Sequence, residues 1–242
     1  MSTEAAWEPV RRMRTHEHVL AQIEQKILDG SLRAGEKLPS ERDLVVALGV
    51  SRASVREALR ALEAMGIIES NVGSGRAAGS VVTGQSTAAL TNLLRLHLAL
   101  AQTSLADLVE TRIQLERSAA RGAASSRTPA DIAQLGELVE AMTSREIEYQ
   151  QFNALDTEFH VSIAKISGNA LAADLMQALR GAVESRMTAV FAGLPKWRRV
   201  ADALNKEHQQ ILRAIERGDG EAASELVSEH IRRFYQDRVL KS

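Results

Sequence analysis

Residues 38–69 read LPSERDLVVALGVSRASVREALRALEAMGIIE, and this stretch decides the fold. Pro39 and Ser40 open a helix, because a serine hydroxyl can accept from the free N–H groups of the first turn. That helix runs from Glu41 to Leu48 and stops at Gly49. One residue later Ser51 caps a third helix, which runs through about Met65 and is terminated by Gly66. Val55, Ala58, Leu59 and Leu62 recur at the three-and-four spacing of a buried face. Arg52, Arg56 and Arg60 recur every four residues on another face. A guanidinium can pair bidentately with a guanine edge or clamp a phosphate, and a major groove admits one such helix. Ser51, Ala53 and Ser54 are small enough to let the helix N-terminus approach a phosphate backbone. Arg42, on the preceding helix, points to the same side of the turn. An ordinary solvated face would also carry such arginines, but the two-helix layout around them favours DNA.

Upstream, a helix from about Thr15 to Asp29 presents Val19, Leu20, Ile23 and Ile27 on one side. Glu36 to Leu38 can form a short strand. Downstream, Ile67 and Ile68, a glycine-punctuated loop, and Val81 with Val82 predict two strands of a long hairpin. Residues 1–82 therefore read as a winged helix-turn-helix, residues 83–90 as a small polar linker, and residues 91–242 as a helical domain.

Composition bounds the class. The 242 residues are 45% hydrophobic, 25% charged and 3% aromatic, which favours a mainly α protein. There is no cysteine, which removes disulfides and thiolate chemistry and fits a reducing cytoplasm. The first twenty residues are charged and show no secretory signal. The greasiest run, Leu90 to Ala101, is interrupted by Asn92, Arg95 and His97 and is too short to span a bilayer, so no membrane partner is expected. A formal net charge of -1 means that DNA binding must come from a local basic surface.

From Ser86 onward the pattern predicts six or seven helices packed as an antiparallel bundle, with Thr128 and Asp131 in capping-box positions. On one of these, Leu155, Phe159, Ile163 and Ile166 form an apolar stripe, and Asp156 and His160 project beside it four residues apart. His208 lies on a stripe with Leu204, Ile211 and Ile215, and His230 on one with Leu226 and Phe234. Three imidazoles and a carboxylate from three helices can converge on a divalent ion, with zinc first choice and nickel or manganese also suited. The plainer alternative is three hydrogen-bonded core histidines. Glu207 and Glu229, each preceding a histidine, are expected to face solvent. Arg112 shares a stripe with Leu105, Leu108, Leu115 and Ala119, so its charge is carried inward and needs an anion. Glu116, four residues on, is one candidate; the carboxylate of a bound effector is the other.

The 38–69 stretch resembles the operator-binding motif of the GntR superfamily of bacterial transcription regulators. That resemblance implies DNA contacts by Arg42, Arg52 and Arg56, assisted by Ser51 and Ser54, with Gly73 at the tip of the wing. The wing departs from the family pattern, with Val72 in place of a polar or basic residue and Arg76 as a substitute charge. ETRIQLE, LDTEFHVSIAKISGN, KEHQQILRAI and SEHI are spaced as in the FCD effector domain of the FadR-type branch. Residues matching Asp156, His160, His208 and His230 bind a metal in that branch, and the arginine matching Arg112 helps hold a carboxylate ligand. LPKWRRVADALNKEHQQILRAI and neighbouring segments are most similar to actinobacterial L-lactate-responsive regulators, which implies a small 2-hydroxy or 2-oxo acid as effector. The expected function is a homodimeric regulator, a repressor relieved by its metabolite, reading a palindromic operator in double-stranded DNA. A regulator sensing the metal alone and a metal-dependent enzyme are the alternatives, though no His-Glu-x-x-His signature supports the enzyme.

Overall fold

The computed structural model describes residues 14–71, 79–84, 87–101, 104–194 and 196–238. Two compact units divide the chain, Met1–Ala89 and Leu90–Ser242.

In the first unit, α1 (Thr15–Leu28), α2 (Glu41–Leu48) and α3 (Arg52–Ala64) precede β1 (Ile68–Asn71) and β2 (Gly79–Val82). The caps form where the sequence puts them. Ser40 accepts from the Asp43 N–H at 3.2 Å and Ser51 from the Ser54 N–H at 3.1 Å. Gly49 ends α2 in the left-handed region at φ 64°, a conformation that a side chain resists, so the chain turns there into α3. Val55, Ala58, Leu59 and Leu62 of α3 are buried against Val19 and Ile23 of α1, with Leu44, Ile68 and Val82 completing the core. The strands pair antiparallel, Ile68 opposite Val82. The expected strand at 36–38 reduces to a single bridge, Lys37 to Val81, bounded by hydrogen bonds from Leu38 N to Ser80 O and from Val82 N to Glu36 O. Val72, Gly73 and Arg76 of the expected wing lie outside the described residues.

The second unit is all helical among the described residues. Helix α4 (Thr87–Leu100) begins three residues before it, and α5 (Leu105–Ser126), α6 (Pro129–Ala141), α7 (Tyr149–Ile166), α8 (Ala170–Gly193), α9 (Trp197–Arg217) and α10 (Gly220–Arg238) follow. Because α4 begins at Thr87, residues 87–90, expected as linker, are helical. The Thr128–Asp131 capping box forms, and Ser104 with Asp107 makes a second one at the start of α5. Helix α5 is central: it packs on α10 and α7 and also meets α8 and α9, while α8 packs along α7. Its buried Ala119, Ala120, Ala123 and Ala124 keep neighbouring backbones close. No helix among the described residues is long and apolar enough to cross a membrane.

Gly122 marks one close approach. A Cβ there would lie 2.9 Å from Ser167 Cβ and 3.4 Å from Ser167 Cα. Exchanging glycine for alanine inside a helix ordinarily gains about 1 kcal/mol from propensity. Here the overlap reverses the sign, and Gly122→Ala is expected to lower stability by about 1–2 kcal/mol, measured as a reduced urea midpoint.

Candidate functional site

Helix α7 brings Asp156 and His160 one turn apart, α9 brings His208, and α10 brings His230. One donor atom from each of the four lies within 4.8 Å of the others. The three rings are packed together, with centroids 4.7 Å apart for His208 and His230, 5.2 Å for His160 and His230, and 5.4 Å for His160 and His208. All three are buried, and Phe159 lies against His160 and His208. The alternative of ordinary hydrogen-bonded core histidines fits poorly. His160 Nε2 and both nitrogens of His208 are buried without a hydrogen-bond partner, although His208 Nε2 sits 3.0 Å from Asp156 Oδ1. Each such orphan costs about 1–3 kcal/mol, and even with His208 Nε2 assigned to Asp156 the two that remain on these packed rings are unusual unless something satisfies them.

Behind this cluster lies a buried charge network. Glu116, 2% exposed, accepts from Arg112 Nη2 at 2.9 Å and Nε at 3.2 Å, and from Arg180 Nη2 at 3.4 Å. Its other oxygen is 2.6 Å from His160 Nδ1. Arg180 Nη1 donates to Asp156 Oδ2 at 2.8 Å, and Arg112 Nη1 to the Tyr235 hydroxyl at 2.8 Å. Arg112 thus has the internal partner that its spacing from Glu116 offered. It also lines a cleft with Asp156, Arg180 and His230, closed on the other side by Met187, Phe191 and Phe234.

Arg180 and Tyr235 escape the sequence reading. The signal for Arg180 is present, since it shares an apolar stripe with Met176, Val183 and Met187. Glu207 corrects an expectation. Instead of facing solvent, it is half-buried and bonded to His230 Nδ1 at 2.9 Å, with its second oxygen taken by Arg233. Glu229 does face solvent.

Electrostatics follow from this packing. Burial opposes the charge on Glu116, but the neighbouring His160, Arg180 and Arg112 outweigh it and hold its carboxyl well below the usual range. Burial likewise opposes ionised Asp156, and Arg180 with His208 overcomes it. Glu207 is lowered against burial by its bond to His230 and by Arg233. Burial, reinforced by Arg180, pushes His160 down to about 3 against the pull of Glu116. His160 is therefore neutral near pH 7 and faces Glu116 through Nδ1 without a charge of its own, so the guanidiniums supply the positive charge that Glu116 needs. His208 is lowered by burial too. A histidine kept neutral by folding titrates near 6.5 only when unfolded, so its contribution is present above that pH and lost as pH falls toward the folded value. The chelator-treated protein is expected to lose about 1.4 kcal/mol per pH unit for His160 between pH 6 and 4, read from urea titrations at stepped pH.

The first unit holds the second candidate surface. Arg42, Arg52 and Arg60 are exposed and make no ion pair among the described residues. Arg56 is exposed and donates through Nε to Glu41 at 2.9 Å. Ser51 and Ser54 are bonded to each other at 2.9 Å at the N-terminus of α3.

Known proteins resemble both units. Residues 15–77 match the family of bacterial regulatory proteins, gntR family, and residues 107–233 match the FCD domain. A Glc operon transcriptional activator of Escherichia coli (strain K12) is 31% identical over 89% of this chain and 85% of its own length. A putative L-lactate dehydrogenase operon regulatory protein of the same strain is 29% identical over 93% of this chain and 90% of its own. Among solved structures, a Streptococcus agalactiae GntR superposes with a TM-score of 0.66 at 24% identity, covering 92% of this chain and 99% of that one, which shows a shared fold. These relatives are regulators rather than enzymes. With both of its units matched, the chain belongs to the GntR family of bacterial transcription regulators, in the FadR-type branch that carries an FCD domain.

Proposed function

We propose that this regulator binds a small carboxylate, a 2-hydroxy or 2-oxo acid of lactate type, at a divalent metal in its helical unit, and that this changes its affinity for an operator. The observation that carries the reading is the meeting of four donor atoms, from Asp156, His160, His208 and His230, within 4.8 Å. Three imidazoles and one carboxylate suit zinc, nickel or manganese, with zinc first. The unpartnered nitrogens of His160 and His208 are where a cation would be satisfied. Bound there, a metal supplies Lewis acidity toward the oxygens of an acid.

Arg112 offers the carboxylate a further grip. A guanidinium has five N–H donors; Glu116 takes two of those on Arg112 and Tyr235 takes one. The remaining two belong to a side chain that lines the cleft. Its apolar wall of Met187, Phe191 and Phe234 suits a short carbon tail. The relative in Escherichia coli that is named for an L-lactate dehydrogenase operon supports lactate as the first acid to test.

For DNA, the exposed arginines of α2 and α3 supply the reading face, and a homodimer would set two such helices on the half-sites of a palindrome. The acid acts to the extent that it binds two arrangements of the protein unequally.

Two outcomes are expected. Operator affinity, measured by fluorescence anisotropy, shifts at least about tenfold, or about 1.4 kcal/mol of coupling, when L-lactate is added to zinc-loaded protein, and the shift disappears in His208→Ala. A complete response to zinc without acid, or none to any small 2-hydroxy or 2-oxo acid, would reject the proposal. Arg52→Ala weakens operator binding by about 1–3 kcal/mol and leaves zinc uptake unchanged.

A further inference from the structure

We propose that Glu207 is a positioning residue for the metal, one of two carboxylates that fix which nitrogen of a liganding imidazole is presented. The inference rests on the metal reading above. A neutral imidazole has one N–H and one lone pair, and a carboxylate beside one nitrogen makes that nitrogen the donor and frees the other as ligand. Two of the three clustered rings have such a backing. His160 Nδ1 is 2.6 Å from Glu116 Oε2, and His230 Nδ1 is bonded to Glu207 Oε2 at 2.9 Å. In both cases Nε2 is the nitrogen left over. His208 has no carboxylate behind it, since Nδ1 is buried without a partner and Nε2 already faces Asp156.

Glu207 is itself held. Arg233 takes its other oxygen, so the carboxylate is pinned between a surface guanidinium on α10 and the ring of His230 on the same helix. The arrangement also ties two donors together: Glu207 directly precedes His208 on α9, so one turn of α9 supplies a donor and orients another. Glu229 stands in the same sequence relation to His230, yet it is more than half exposed and pairs with Arg233. The two glutamates look alike in sequence, and packing separates them.

Glu116 is the poorer handle for a test, because removing it strands two buried guanidiniums and threatens folding. Glu207, half-buried beside an exposed arginine, can be changed with less risk. Full-length wild type, Glu207→Ala, Glu207→Gln and Glu229→Ala are stripped with chelator, and zinc is titrated in competition with a chromophoric chelator. Zinc binding is expected to be weaker by about 10–100-fold in Glu207→Ala, with partial recovery in Glu207→Gln, which keeps an acceptor oxygen, and a change of under about twofold in Glu229→Ala. Melting of the metal-free Glu207→Ala protein stays within about 2 °C of wild type, which separates orientation of His230 from general damage. Zinc affinity in Glu207→Ala within about twofold of wild type, or a loss that Glu207→Gln fails to recover at all, overturns the positioning role while leaving the metal site standing. A wild type that takes up no zinc overturns both.

Discussion

A carboxylate with almost no access to water, Glu116, governs how the helical unit is built. An ionised acid in a protein core is tolerable only when opposite charge and hydrogen bonds replace the lost hydration. Arg112 and Arg180 provide both, and Arg180 extends the balance to Asp156. Two positive and two negative groups thus neutralise one another inside four helices, α5, α7, α8 and, through Tyr235, α10. None of the four can be removed alone without leaving its partner uncompensated. The arrangement holds the imidazoles in a setting that is polar yet free of net charge.

That constraint also bears on how the cluster would receive the cation proposed for it. Burial away from water holds His160 and His208 below the usual imidazole range. Neutral rings with free lone pairs are what a divalent ion requires. Adding a dication to a balanced site makes it strongly positive, which favours an anion in the adjoining cleft. Arg112 and Arg180 already line that cleft, so metal and acid would reinforce each other's binding.

Local chemistry was the legible part of the fold. Ser40, Gly49 and Ser51 act within one turn of their own positions, and the apolar spacing of α3 concerns a single helix. The four donors could be nominated because His208 and His230 each lie on an apolar stripe and Asp156 and His160 project together beside another. Pairings between helices were hidden. Arg180 meets Asp156 across 24 residues and Glu116 across 64, and periodicity along one helix carries no information about either partner. Glu207 shows the same limit: its place on α9 looked solvated, and only the approach of α10 turns it toward His230.

The pair between Arg56 and Glu41 bears on how the reading head would behave among nonspecific sequences. A guanidinium already neutralised by its own protein has to exchange one anion for another when it meets a phosphate or a base. The exchange returns little for a loose encounter and more for an aligned, bidentate one. If α3 is the reading helix, an arginine held in check by an internal carboxylate would discriminate between fits, whereas Arg52 and Arg60, without an ion pair among the described residues, would supply attraction to any duplex.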